Sequence, residues 1–330
     1  MPLKPLRRLA LLFAALAAAL PPAALAQPAD NNSKALRFVV PFPPGGTVDS
    51  LARLTAEKLQ PLYPGGVVVD NRPGANGNIG ADAVYRGPAD GATLLFAPSG
   101  PIAINQHLYK KLGYDPARWV PVALVAEVPN VLAVRPGFPA ADLKEFVAYA
   151  KAHPGRVTFA SQGSGSSSHL AAALFMLLTG AEMAHVPYKG TGPALTDLIG
   201  GQVDVFFDNL SSSAKFHQNG KLRILAVADG KRSPRLPDVP TFAEAGGPAF
   251  KGMVSSAWYA VVAPPGTPPA AVEASQKAIA GVLAQPEVKR RFAELGVDAD
   301  VASPAQAAAF LRGEAERWGK VIRDAKVTAD

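Results

Sequence analysis

The sequence predicts an α/β protein built from two α/β halves with a cleft between them. Apolar residues make up 48% of the chain and charged residues only 18%, which provides enough apolar surface for a large core. Short apolar segments alternate with segments of helical period along most of the 330 residues. Repeated strand–turn–helix–strand units are typical of parallel sheets with right-handed crossovers. The length corresponds to about two domains.

The first 26 residues have the pattern of a cleavable export signal. Basic residues precede an apolar run at 9–20, Pro21-Pro22 ends the run, and Ala24-Leu25-Ala26 places small residues before an expected cleavage at Ala26/Gln27. The run is shorter than the roughly 20 apolar residues that cross a bilayer, so a cleaved signal is favoured over a membrane anchor. We therefore expect a periplasmic protein with a flexible leader at 27–35.

Composition argues against several kinds of site and partner. The chain has no cysteine, which removes disulfides, thiolate metal centres and cysteine nucleophiles. Its five histidines show no spacing of four residues that would pair them on a metal. The net charge of +7 falls to +4 when Lys4, Arg7 and Arg8 leave with the signal, and the remaining basic residues are scattered. We expect no metal, no cofactor and no nucleic-acid partner.

The first half of the mature chain predicts three strands and two helices. Apolar segments at 36–42, 67–69 and 93–97 are predicted strands. The spacing of Val48, Leu51, Ala52, Thr55 and Leu59 predicts a helix over 48–59, and a second helix is predicted over 79–86.

The second half repeats the alternation, and the chain ends in helices. Strands are predicted at 131–134, 158–160, 184–188, 203–207, 222–228 and 258–263, and helices at 141–153, 169–179, 192–200, 269–284, 287–294 and 304–323. We expect the terminal helices to pack only on the first half. Both ends of the chain then form one domain, 36–128 plus 254–330, and residues 129–253 form the other.

Three loops rich in Gly, Ser or Asn follow predicted strands and precede predicted helices, at 43–48, 71–78 and 161–168. Free backbone N–H groups and the positive end of the helix dipole make such places suitable for anions. Each loop alone has the sequence of an ordinary βα turn. Three of them at one edge of a sheet favour an anionic ligand, bound in the cleft between the halves.

Three side chains near these loops have more than one interpretation. Asp49 is either a favourable charge at a helix start, a residue that fixes the glycine loop, or a partner for a ligand amino group. His169 lies at the start of a predicted helix, where its side chain either contacts a ligand or has a structural role in packing or in capping the helix. Asp208 ends a strand that faces the expected cleft, where a buried polar group needs a partner.

Enzyme motifs are weak in this sequence. The segment 161–166 has no G-x-S-x-G, and Ser168 stands where G-x-G-x-x-G requires its third glycine. An exported hydrolase or lyase remains an alternative, with Ser164 or Ser166 as nucleophile and His169 as base. A ligand-independent scaffold or chaperone is a further alternative, but it leaves the glycine loops unexplained.

Many ordered segments carry a resemblance to one family. They are 41–49 (PFPPGGTVD), 71–77 (NRPGANG), 79–81, 88–91, 161–166 with 169–170, 186–190 (VPYKG), 200–204 (GGQVD), 240–241, 244–246 and 263–268 (APPGTP). In these segments the chain resembles the extracytoplasmic solute receptors of tripartite tricarboxylate transporters, the Bug or TctC-like receptors. The likeness covers essentially the whole mature length.

The resemblance implies a type II periplasmic-binding-protein fold, with two α/β lobes, mixed and mainly parallel sheets and a hinged interdomain cleft. It implies a receptor, not an enzyme, that binds a small organic anion largely through main-chain amides of the first and third loops. The implied ligand-binding residues are Phe42, Pro43, Gly46, Asp49, Ser161, Gly163, Ser164, Ser166 and His169, with Ser99 and Asp208 further out. The implied partners are a carboxylate ligand and transporter membrane subunits or a sensor kinase, and the receptor is expected to be a monomer.

Overall fold

The computed structural model describes residues 34–299 and 302–328. The predicted export signal lies outside these ranges, as does most of the predicted leader. Within them, no helix combines the length and the apolar character that crossing a membrane requires.

The described residues form a mixed sheet of ten strands. The strands are β1 Leu36–Val40, β2 Val67–Asn71, β3 Thr93–Pro98, β4 Val120–Val134, β5 Val157–Ser161, β6 Met183–Pro187, β7 Val205–Asn209, β8 Arg223–Val227, β9 Ser256–Ala263 and β10 Asp298–Ala299. Their order is β2-β1-β3-β9-β4-β7-β5-β6, and β8 and β10 pair with β4 off this path.

Helices cover the sheet. The α-helices of the described ranges are α1 Thr47–Leu59, α2 Asn78–Tyr85, α3 Asn105–Leu108, α4 Leu143–Ala152, α5 Ser167–Thr179, α6 Thr191–Ile199, α7 Leu210–Gln218, α8 Phe242–Gly246, α9 Pro269–Leu283, α10 Pro286–Glu294 and α11 Pro304–Asp324. A π-helix, Gly100–Ile104, precedes α3. Short α7 and α8 were not expected from the sequence, whereas the three C-terminal helices lie where the helical period predicts them.

The sheet has two parallel groups of strands joined by antiparallel pairs. Strand β1 lies between β2 and β3, and β5 lies between β6 and β7, in parallel register. Strands β4 and β9 run antiparallel to each other and connect the two groups. Loops that follow parallel strands therefore collect at the carboxyl edge of each group, as the sequence predicted.

Strand β4 is much longer than the predicted strand at 131–134. It has 15 residues; its first part pairs with β9 and β10, and its last part pairs with β7 and β8. Pro121 and Pro129 interrupt its sequence pattern, because proline has no N–H to donate to a ladder. The pairing with β9 also has irregular register near Pro121. The domain boundary predicted at 128/129 falls inside this continuous strand.

The prediction that the terminal helices pack only on the first half is wrong for α11. Ala307 and Leu311 pack with residues of β3 and β9, as predicted. Trp318 and Ile322 instead pack in the core of the second half, with residues such as Phe175. A helix of 21 residues is about 30 Å long, so α11 extends across both halves.

Glu314 attaches α11 to the sheet. Its Oε2 accepts the indole N–H of Trp258 on β9 at 3.0 Å and that of Trp318 at 2.7 Å. Its Oε1 accepts from Arg317 at 3.2 Å. Both indoles are buried, so each needs this acceptor.

Replacing Glu314 by alanine is expected to lower the free energy of unfolding by about 2 kcal/mol, because two buried N–H groups lose their acceptor. Urea denaturation followed by circular dichroism measures the change. Glu316→Ala, at an exposed position two residues later on the same helix, is the control and should change stability by less than about 0.5 kcal/mol. Equal effects of the two substitutions would show that the carboxylate does not attach the helix.

Candidate functional site

The first glycine loop leaves the start of α1 open to an anion. Residues 43–47 are exposed and connect β1 to α1. Gly46 is the N-cap residue, and no side chain accepts the free amides of the first turn. Gly45 has φ +89°, a conformation that favours glycine. The unsatisfied N–H groups and the helix dipole therefore point to the place where a carboxylate would bind.

Asp49 holds this loop in shape. Its Oδ2 accepts the Gly45 backbone N–H at 2.9 Å and the Arg53 Nε–H at 3.0 Å. Its Oδ1 accepts from the Asn71 amide at 2.9 Å. Burial alone would raise the pKa of Asp49, but these hydrogen bonds outweigh it and lower the pKa below its usual value. Of the three interpretations of Asp49, the contacts support the one that fixes the loop.

The second loop is tied to the first by Asn71. The Asn71 amide also donates to the Phe42 carbonyl at 3.1 Å, and its oxygen accepts from Arg53 at 2.8 Å. Further along, Asn76 donates to Asn105 at 3.1 Å. Gly77 lies so close to Phe42 that an added Cβ would be 3.2 Å from the ring.

The Ser/Gly loop at 161–168 is held by its own hydroxyl groups. Ser166 caps α5 and donates to the Gly163 carbonyl at 2.6 Å. Ser168 accepts the backbone N–H of Gln162 at 2.9 Å, and Ser161 accepts that of Gly163 at 3.2 Å. Gly163 has φ +126°, so its backbone conformation depends on the absence of a side chain.

The three loops meet. A Cβ added to Gly165 would lie 2.3 Å from Leu108 and 3.8 Å from the Asn76 amide, so the third loop touches the second loop and the α3 segment that follows β3. Because Gly77 in turn packs on Phe42, loops from both halves of the sheet surround one region. Ser99, at the start of the π-helix beside them, is partly buried.

Asp208 lies beneath this region. Its Oδ2 accepts from Ser213 at 2.7 Å, and its Oδ1 accepts from the Gln162 side chain at 3.2 Å. It is fully buried, and burial raises its pKa to about 7 despite these hydrogen bonds. Burial, together with the charge of the nearby Asp208, raises the pKa of Tyr259 to about 12. The Tyr259 hydroxyl is hydrogen-bonded to Thr47. Asp208 is thus connected to the first and third loops.

Ser164 belongs to the third loop, and His169 lies in the first turn of α5. They line a cavity of about 340 Å³ together with His185 and residues 325–328, and no residue of 42–49 lines it. Ser166 pairs with no histidine in the described chain, and His169 Nδ1 accepts the Gly165 N–H. The described residues therefore assemble no serine–histidine pair from Ser164 or Ser166, which the hydrolase alternative requires.

Sequence reasoning did not identify several residues that shape the region. They are Thr47, Asn71, Asn76, Gln162 and Tyr259. Asn71 and Asn76 belong to a loop that the glycine pattern did single out, so position in that loop was an available signal. Gln162 and Tyr259 act through partners far away in sequence, which one sequence does not show. The described residues include no group of three or more His, Asp or Glu that would hold a metal ion.

Comparison with known proteins gives one consistent family. The model of the tripartite tricarboxylate transporter family receptor, TctC, matches residues 51–327. BugT of Bordetella pertussis is 40% identical over 294 residues, which are 88% of this chain and 89% of BugT.

Solved structures agree with this family. Rpa4515 of R. palustris, solved with adipate, has a TM-score of 0.79 and 38% identity, covering 89% of this chain and 98% of that one. MatC of Rhodopseudomonas palustris, solved with bound malate, has a TM-score of 0.76 and 34% identity, covering 88% and 99%.

Proposed function

Because the chain belongs to the tripartite tricarboxylate transporter receptor family, it is a solute-binding receptor rather than an enzyme, and we propose that its ligand is a small dicarboxylate. The observation that carries the proposal is the open start of α1, with no side chain capping its amides. Adipate and malate, the ligands in the two related structures, are both dicarboxylates. The hydrolase alternative has no support in the family or in the contacts.

One carboxylate of the ligand would be held by backbone amides. On the first loop these are the amides at the start of α1, after Gly46. On the third loop they are those near Gly163 and Ser166, at the start of α5. Two helix N-termini directed at one anion would stabilise its negative charge with their partial positive charges, without a cationic side chain. Phe42 and Pro43 would form the wall between them.

The proposal includes two lobes, with the divisions that the sequence predicts. The division into two lobes is supported by the hydrogen bonds at the point where the chain crosses from one group of strands to the other. There, Asn130 N–H donates to the Ser255 carbonyl at 2.8 Å, and the Ser255 hydroxyl donates to Asn130 Oδ1 at 2.8 Å. Both residues are fully buried. A ligand that contacts both lobes would favour the closed arrangement by its differential affinity.

The proposal also covers where the receptor acts and which proteins it acts with. The receptor would be exported to the periplasm by cleavage at Ala26/Gln27 and act as a monomer. It would deliver its ligand to transporter membrane subunits or report it to a sensor kinase. The family match supports the first kind of partner.

A thermal-shift screen of the mature chain tests the ligand class. The protein, refolded to remove carried ligand, is heated with malate, adipate, the monocarboxylate butyrate and the neutral diamide of adipic acid. A dicarboxylate at 100 times its Kd should add roughly 2.7 kcal/mol of stability. At roughly 2–4 °C per kcal/mol, this shifts Tm by several degrees. A shift with butyrate alone, or with the diamide, would contradict a dicarboxylate receptor.

A further inference from the structure

The cavity lined by Ser164 and His169 is built as a second site, on the third loop and away from the first. It has a volume of about 340 Å³, within the range of small-molecule pockets. Its lining includes His169, His185, Met176 and Met183. Residues 325–328 close it, and the hydrogen bond from Val327 N–H to the Ile322 carbonyl at 3.0 Å folds this segment back after α11.

His169 presents an N–H donor that no protein group accepts in the described part of the chain. Gly165 N–H donates to His169 Nδ1 at 3.1 Å, so the proton of the neutral His169 ring is on Nε2. The neighbouring His185 is held by a hydrogen bond of 2.7 Å between its Nε2 and Ser161 Oγ. His169 is nine-tenths buried.

The arrangement of the rings excludes a shared metal ion but suits a carboxylate. The His169 and His185 rings are stacked at 3.9 Å between centroids and 20° between planes. A metal bound in the plane of one ring would lie out of the plane of the other. A carboxylate oxygen, by contrast, can accept the His169 Nε2–H. Burial lowers the pKa of both histidines, that of His169 to about 4, so the rings are neutral donors at pH 7.

The charge of the lining is positive. Lys326 lines the cavity and makes no ion pair with any described residue, and none of the described residues that line it is acidic. The Ser164 hydroxyl is a further donor on the lining. The two methionines and Phe159, which stacks on His185, contribute apolar surface.

We propose that this cavity binds a small carboxylate with an apolar body, held by Lys326 and by the free ring N–H of His169, beside the stacked ring of His185. The cavity borders the third loop at Ser164, but none of residues 42–49 lines it, so it differs from the proposed dicarboxylate site in lacking the first loop.

Benzoate and hexanoate are the probes, and the refolded Gly46→Asp protein is the host, since its dicarboxylate site is expected to be blocked. Long-range ¹H–¹⁵N NMR resolves the histidine ring nitrogens. At least one probe should bind saturably and shift the His169 and His185 ring signals. Neutral benzamide should shift neither.

Lys326→Glu, made in the same host, should weaken that binding about tenfold, since it reverses the one cationic charge among the described lining residues. Lys144→Glu, on the exposed face of α4, makes the same change in net charge elsewhere and should alter the affinity less than twofold. No saturable binding of either probe, or equal affinities in the two variants, would overturn the proposal. Wild-type protein that binds benzoate but no dicarboxylate would contradict the proposed function and leave this site standing.

Discussion

Replacing Gly46 by aspartate is expected to weaken dicarboxylate binding at least 100-fold while the fold is kept. Gly46 is exposed, its φ of −80° suits any residue, and nothing lies within 4 Å of an added Cβ. An aspartate at an N-cap position accepts the free amides of the first helical turn. Its carboxylate would therefore occupy the donors that we assign to the ligand, and its charge would repel the ligand as well.

Isothermal titration with malate or adipate, whichever the screen identifies, measures this effect. Gly46→Ala is the matched control: it adds a Cβ but no acceptor, so its affinity should remain within about threefold of the wild type. The corresponding change in the other loop, Gly163→Asp, is a poorer test because Gly163 has φ +126° and any side chain strains the backbone. If Gly46→Asp binds as tightly as Gly46→Ala, the amides of α1 do not hold the carboxylate.

The sequence predicted most of the fold because most elements are locally patterned. Helix α1 and the three C-terminal helices follow their helical periods, and short apolar strands alternate with them. The errors come from features that are not local. The two prolines of β4 hide a strand of 15 residues. The packing of α11 depends on its length relative to the whole sheet, so the position of Trp318 was not predictable from the helix alone.

The candidate site shows the same division. The glycine loops were recognisable because βα turns have a characteristic composition. What the sequence left open was the partner of each side chain. Asp49 had three interpretations, and the contact with Asn71, 22 residues later, decides between them. His169 lies beside the third loop, where Gly165 donates to it, but its ring also stacks on His185, a partner that the sequence did not indicate. Such pairings depend on the register of β5 and β6, which no single position encodes.

Asp208 is expected to make stability fall as pH rises. Its pKa in the folded protein is about 7 and in the unfolded chain about 3.9, so between these values the folded state binds the extra proton. A group of this kind stabilises fully below the lower pKa and loses its contribution as pH rises through the upper one. Between pH 5 and pH 8 the loss amounts to roughly 3 kcal/mol.

Asp208→Asn removes the titration of residue 208 but keeps its two side-chain contacts, since an asparagine can still accept from Gln162 and donate to Ser213. Histidines with lowered pKa, such as His169, make the opposite contribution, so the quantity to measure is the wild-type minus variant difference in unfolding free energy. The unfolding free energy of the wild type minus that of the variant should fall by roughly 3 kcal/mol between pH 5 and pH 8. Asp238→Asn, at an exposed position, should give a flat difference. A flat curve for Asp208→Asn would mean that Asp208 is ionised throughout, and a fixed negative charge would then lie beneath the proposed dicarboxylate site.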